Sequence, residues 1–219
     1  MNVPYRSFIF APLNNTQKKG MDPNDAVGAF HPGMRMYKSY YEGLGGTVVD
    51  HYFNNERGLG FGKVSRGIID AMIRGSGGHY YEAIVYFGHG TETHMSSVGW
   101  DKKTVKDLTD AIDTYGSADV KVILYACSCG ADGGIAYTMA DNLKAWANTG
   151  MEVYGHATPG HSYTNAPVRR FPNANGLVGY QVCPPGKGPA WTKALRNEKS
   201  MFWARFPFMT PEEIEAELG

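Results

Sequence analysis

Two apolar runs in the middle of the chain constrain its fold most. Residues 83–87 (AIVYF) and residues 120–126 (VKVILYA) are too short for buried helices and are rich in β-branched and aromatic side chains. Continuous runs of this length are typical of strands that are buried on both faces of a parallel sheet. Residues 104–115, which lie between the two runs, carry a helical apolar pattern with Thr104 as its expected N-cap. The sequence therefore predicts a strand–helix–strand crossover and an α/β fold with a mostly parallel sheet.

The same alternation extends over most of the chain. We predict further strands at residues 8–11, 48–49 and 151–154, and further helices at residues 31–44, 63–74 and about 133–146.

The domain organisation follows from a break in composition near Cys183. A proline- and glycine-rich segment at residues 184–189 ends the pattern, so we expect one core domain over residues 1–182. Residues 183–219 form an aromatic-rich C-terminal extension that we expect to pack on the core or to contact a partner. Within it, Thr210 followed by Pro211 and two glutamates predicts the start of a short final helix.

Composition narrows the choice of partners. The chain has 219 residues, 42% of them hydrophobic, and its 21 Lys and Arg residues equal its 21 Asp and Glu residues. No overall field therefore favours nucleic acid or an anionic membrane. No apolar run approaches the roughly 20 residues that span a bilayer, and the first residues lack a secretory pattern. We expect a cytoplasmic protein whose three cysteines form no disulfide framework.

Reactive side chains follow three of the predicted strands. His89 comes just after residues 83–87, Cys127 directly follows residues 120–126, and His156 comes just after residues 151–154. In α/β sheets, ligands bind beyond the carboxyl ends of the strands. The pattern therefore predicts a histidine, a cysteine and a second histidine along one rim of the sheet.

These residue types suit nucleophilic catalysis. A thiol attacks as its thiolate, and a nearby imidazole or helix N-terminus lowers the thiol pKa. Cys127 lies between a strand and the predicted helix start at Gly133, so both influences are expected there. The backbone N–H groups of Gly90 and Cys127 could then stabilise an oxyanion during acyl transfer. The residues thus point to Cys127 as nucleophile and His89 as its base.

Two strings carry a family resemblance. AIVYFGHG at residues 83–90 and VKVILYACSCG at residues 120–130 resemble the histidine and cysteine motifs of the caspase, metacaspase, legumain and gingipain clan of cysteine peptidases. By the order of its elements, the resemblance covers roughly residues 8–155. It implies a caspase-like three-layer sandwich that hydrolyses protein or peptide substrates through an acyl-enzyme without a cofactor. It also implies His89 as catalytic histidine, Cys127 as nucleophile, and Gly90 with Cys127 as oxyanion donors.

The residues that would set specificity differ from this clan. Tyr125 stands where metacaspases have an aspartate and caspases a glutamine, so neither specificity transfers. Asp132 is a candidate carboxylate for binding an Arg or Lys side chain. His156 and His161 are further candidates for contact with substrate.

Two alternatives remain open at the level of sequence. The chain could be a catalytically inactive scaffold that uses the rim for recognition. It could instead hold zinc, because cysteine and histidine are ligands that zinc prefers. The residues available for such a site are His89, His94, Cys127, Cys129, His156 and His161. Outside the zinc alternative, we interpret Cys129 as a small core residue beneath the following helix and assign no role to Cys183.

Overall fold

The computed structural model describes residues 3–13, 30–56, 58–144, 150–159, 168–172, 180–183 and 201–218. The strands in these ranges are β1 (Arg6–Pro12), β2 (Thr47–Phe53), β3 (Tyr81–Phe87), β4 (His94–Met95), β5 (Trp100–Asp101), β6 (Gly116–Tyr125), β7 (Glu152–His156), β8 (Val168–Pro172) and β9 (Tyr180–Cys183). The helices are α1 (His31–Gly43), α2 (Phe61–Ser76), α3 (Lys106–Tyr115), α4 (Ile135–Lys144), α5 (Phe202–Arg205), a 3₁₀ turn (Phe206–Phe208) and α6 (Pro211–Leu218).

A seven-stranded sheet organises the molecule, with strand order β2-β1-β3-β6-β7-β8-β9. The first five strands in this order run parallel to their neighbours, whereas β8 and β9 pair antiparallel. The small hairpin β4–β5 forms a separate sheet just after β3. The predicted α/β class and the mostly parallel sheet are confirmed, and the antiparallel edge was not predicted.

Side chains of the central strands alternate between two apolar cores, one on each face of the sheet. On β3, Ile84 and Tyr86 enter one core, while Val85 and Phe87 enter the other. The first core is shared with α2, α3 and α4, and the second with α1 and α5. Because β3 and β6 are apolar on both faces, each can lie between two helical layers. This explains the unbroken apolar runs in the sequence.

The segment from residue 201 onward packs into the second core. Phe202 and Trp203 are buried there. Three buried tyrosine hydroxyls, from α1, β6 and β7, lie within hydrogen-bond distance of backbone carbonyl oxygens of this segment, and that of Tyr154 also has the Glu152 carboxylate as an acceptor at 2.8 Å. The pairs are Tyr41 with Ala204 at 2.7 Å, Tyr125 with Trp203 at 2.6 Å and Tyr154 with Pro207 at 3.1 Å. Residues 184–200, which connect this segment to β9, lie outside the described residues.

Of the two threonines predicted to cap a helix, Thr210 does so and Thr104 does not. Thr210 forms a reciprocal capping box with Glu213: the Glu213 N–H donates to the Thr210 hydroxyl at 3.2 Å, and the Thr210 N–H donates to the Glu213 carboxylate at 2.9 Å. Thr104 does not cap α3, which begins two residues later at Lys106. The Thr104 hydroxyl instead bonds Asp101, whose carboxylate also accepts from the Thr104 N–H. Thr104 therefore stabilises the loop before α3 and does not cap the helix in the way that the sequence predicts.

Among the described residues, no helix has both the length and the apolar character that crossing a bilayer requires.

Candidate active site

His89 and Cys127 follow the ends of two neighbouring parallel strands. Phe87 on β3 and Tyr125 on β6 are Cα partners in the sheet, and each reactive residue lies two positions beyond one member of that pair. The register therefore delivers both residues to the same level of the same rim. His89 is exposed and Cys127 is half-buried, so solvent reaches both residues.

Gly90 brings the loop that carries His89 against the loop that carries Cys127. A Cβ atom built on Gly90 would lie 2.5 Å from the Cys129 sulfur, 2.9 Å from the Ala126 Cβ and 3.0 Å from the Cys127 carbonyl oxygen. Only glycine permits so close an approach. The close packing of the two loops thus explains why a glycine, Gly90, follows the histidine in the sequence motif.

The backbone and ring of His89 are held by several neighbours. The His89 N–H donates to the Ser97 hydroxyl at 3.2 Å, and the His89 carbonyl accepts from the Tyr86 hydroxyl and from the Ser96 N–H, both at 2.9 Å. The Phe30 ring meets the His89 imidazole edge to face, with centroids 5.0 Å apart. The histidine is therefore fixed at both of its peptide groups and contacted at its ring.

The loop after Cys127 is tied to the end of β7. The Ser128 N–H donates to the Thr158 carbonyl at 3.2 Å, and the Gly130 N–H donates to the His156 carbonyl at 2.8 Å. Ser128 has a φ of +55°, a left-handed conformation that few residues other than glycine adopt. Strained residues of this kind cluster at functional sites. The strain here lies directly beside the candidate nucleophile.

Cys129 is unsuited to attack a substrate. Its side chain is 0% exposed, and burial, aided by the nearby Cys127, raises the pKa of its thiol to about 12. The Cys129 carbonyl accepts from the Ala136 N–H of α4 at 2.9 Å. Cys129 is therefore a core residue beneath the start of α4, as predicted.

The start of α4 contacts the loops that carry both candidate residues. Its first N–H groups already have acceptors: Ile135 donates to the Glu92 carbonyl at 2.8 Å, and Ala136 donates to Cys129. The helix start thus joins the His89 and Cys127 loops to each other.

The three candidate substrate-binding residues, Asp132, His156 and His161, differ in where the structure places them. The Asp132 carboxylate is 92% exposed and forms an ion pair with Arg169, so a basic substrate side chain would compete with an internal partner. The His156 imidazole is 1% exposed, and burial lowers its pKa to about 3. It is therefore neutral and interior, and the structure does not place it on the rim. His161 lies outside the described residues.

Several residues around the site leave no local signal in the sequence. Phe30 contacts His89 across a large sequence separation, and Tyr125 contacts Trp203 in the same way. The Tyr125 hydroxyl donates to the Trp203 carbonyl at 2.6 Å, so this side chain is engaged within the fold. Only tertiary packing reveals these contacts.

A metal site is not apparent among these groups. No set of three or more His, Cys, Asp and Glu side chains in the described ranges is arranged to hold a metal ion.

No protein-family model matches the chain. No curated protein sequence matches it either.

Proposed function

We propose that this protein is a cysteine peptidase of caspase-like architecture, with Cys127 as nucleophile and His89 as general base. One observation carries the proposal: the two residues stand at one level on adjacent parallel strands, joined through the close contact of Gly90 with the Cys127 loop. A nucleophile with a base on a neighbouring loop is the arrangement that acyl transfer requires. The burial of Cys129 favours Cys127 as the thiol that reacts.

The proposed reaction proceeds in two steps. His89 accepts the Cys127 thiol proton while the sulfur forms a bond to the scissile carbonyl carbon. The carbonyl oxygen becomes an oxyanion, which the N–H groups of Gly90 and Cys127 stabilise. The C–N bond then breaks, and the amine leaves with the proton from His89. Water, deprotonated by His89, then attacks the thioester carbon; the C–S bond breaks, His89 returns the proton to the Cys127 sulfur, and the acid product leaves.

The architecture supports the same proposal. Helices cover both faces of the sheet, and the candidate residues follow β3 and β6, at the carboxyl edge where α/β proteins bind their ligands. We propose a protein or peptide as the substrate and a cytoplasmic setting. The chemistry needs no cofactor, because a thiol and an imidazole suffice for acyl transfer.

An activity-based probe tests the proposal. An acyloxymethyl ketone should label the wild-type protein and the Cys129→Ala variant, but not Cys127→Ala or His89→Ala. A diverse peptide library should be cleaved by the same two labelled proteins only. Equal labelling of the Cys127→Ala protein would refute the assignment. Cysteine labelling without cleavage of any peptide would favour the scaffold alternative.

A further inference from the structure

The peptide group between His89 and Gly90 is held from one side. Its carbonyl oxygen accepts two hydrogen bonds, from the Tyr86 hydroxyl and from the Ser96 N–H, each at 2.9 Å. Two donors that converge on one oxygen fix the direction of that C=O bond. The rotation of the whole peptide plane is thereby fixed as well.

The orientation of the Gly90 N–H follows from peptide geometry. A trans peptide is planar, and its N–H points opposite to its C=O. The Gly90 N–H therefore points away from Tyr86 and Ser96. No backbone or side-chain group in the described part of the chain accepts a hydrogen bond from it. Because Gly90 lies on the partly exposed rim, this N–H can donate to a bound substrate.

Tyr86 is built to donate at this point. Its side chain is fully buried, and burial raises the pKa of its hydroxyl well above the ordinary value, so the proton stays in place at physiological pH. Ser97 lies close enough to the same hydroxyl to offset part of this rise in pKa, and its own hydroxyl accepts from the His89 N–H. Tyr86 and Ser97 thus hold the C=O and the N–H of the candidate base, respectively.

Gly88 leaves space for the Tyr86 side chain. A Cβ atom on Gly88 would collide with the ring and hydroxyl of Tyr86. The absence of a side chain there lets the tyrosine fold back beneath the turn and reach the His89 carbonyl. Gly88, before the histidine, therefore allows Tyr86 to reach the turn, and Gly90, after it, allows the close approach of the Cys127 loop.

From these contacts we infer that Tyr86 is a positioning residue that aims the Gly90 N–H at the oxyanion of the acyl-transfer reaction. The inference rests on the proposed function and adds a residue to it. Hydrogen bonds into the His89 carbonyl also polarise the shared peptide, which strengthens its N–H as a donor. Tyr86 never contacts substrate in this scheme and acts through the peptide alone.

Tyr86→Phe tests the inference because it removes only the hydroxyl. With a cleaved peptide as substrate, kcat should fall about tenfold with KM unchanged within about twofold. That is less than the roughly 100- to 1000-fold expected when an entire oxyanion donor is lost. The rate of Cys127 alkylation by iodoacetamide should stay within about twofold of wild type, because displacement of iodide forms no oxyanion.

Tyr81→Phe is the matched control. Tyr81 lies on the same strand and in the same core, and its hydroxyl donates to the Met72 carbonyl at 2.9 Å, but it stands at the opposite end of β3. Its kcat should equal that of wild type. Should Tyr86→Phe fail to fold, Ser97→Ala serves in its place and should lower kcat in the same direction, again without slowing alkylation.

The possible outcomes distinguish the role of Tyr86 from the proposed peptidase function. Wild-type kcat in Tyr86→Phe overturns the inference and leaves the peptidase proposal intact. Parallel loss of alkylation and turnover also overturns it, because such a loss reports a distorted site. A wild-type protein that cleaves no peptide overturns the proposed function, and the role of Tyr86 falls with it.

Discussion

The sulfur of Cys129 covers the α-carbon of Gly90, so that a Cβ atom on the glycine would lie only 2.5 Å away. Cys129 is fully buried, and Gly90 belongs to the half-exposed rim. The contact therefore joins the core beneath α4 to the loop that carries the candidate base. The spacing between the two loops depends on the size of these two residues.

Gly90→Ala should disable the site. The added methyl group meets the Cys129 sulfur and two atoms of the Cys127 loop, so the loops must separate by several tenths of an ångström. We expect loss of probe labelling of at least about 100-fold, since small displacements of catalytic groups have effects of this size. We also expect about 1–3 kcal/mol of destabilisation in urea unfolding, as for other overpacked sites.

A double variant provides the control for this steric argument. Cys129→Ala removes the nearest of the clashing atoms but leaves the contacts with Ala126 and Cys127. Gly90→Ala combined with Cys129→Ala should therefore recover part of the stability and little of the labelling. Full additivity of the two stability losses would contradict the contact.

Alkylation at a single pH should distinguish the buried thiol of Cys129 from the thiol of Cys127. Burial raises the pKa of Cys129 from 9.0 to about 12, which lowers its thiolate fraction at pH 8 by about 1000-fold. Because only the thiolate reacts, iodoacetamide at pH 8 should modify Cys127 and leave Cys129 unmodified until the protein is denatured. Peptide mass spectrometry in a Cys183→Ser background measures both sites without the third thiol. Modification of Cys129 in the folded protein at a rate similar to Cys127 would show that this thiol is accessible.

The buried His156 should make the protein sensitive to mild acid. Its pKa is about 3 in the folded state against 6.5 for an exposed histidine, so the unfolded chain binds one more proton below pH 6.5. Stability must fall as pH drops from 6.5 towards 3, by about 1.4 kcal/mol for each pH unit. Between pH 7.5 and pH 5 we expect a loss of about 2 kcal/mol from this residue.

Urea unfolding at the two pH values measures this loss. His156→Gln removes the titrating group, so its stability should change by about 2 kcal/mol less over the same pH interval. Both proteins carry the same remaining histidines and carboxylates, which makes the difference specific to this position. An identical pH dependence in the two proteins would place the His156 imidazole in water.

The sequence predicts those parts of the structure that depend on neighbours along the chain. The apolar runs of β3 and β6 can be recognised because both of their faces are buried, and His89 and Cys127 follow from where those runs stop. Parallel register then places the two residues at the same level of the rim, which no local pattern in the sequence indicates. The hydrogen bond from the first N–H of α4 to Glu92, in the loop after β3, leaves no local signal in the sequence.

Contacts across the fold explain what could not be predicted. The antiparallel strand β8 is short and carries Arg169 and Arg170, so its sequence has no apolar run. Nor does any periodicity indicate that three tyrosines reach the segment after residue 201. Such features arise from tertiary packing, which overrides local preference.

Trp203 should contribute to stability as a core residue does, although it lies near the end of the chain. It is 1% exposed and packs against Phe87 and Tyr125, with ring centroids 6.2 and 5.3 Å away. Trp203→Ala should therefore lower the free energy of unfolding by about 3–5 kcal/mol. Phe208→Ala is the control, since Phe208 lies in the same segment but is only half-buried, and it should cost about half as much. Urea unfolding measures both variants, and equal losses would show that the depth of burial does not set the contribution of this segment.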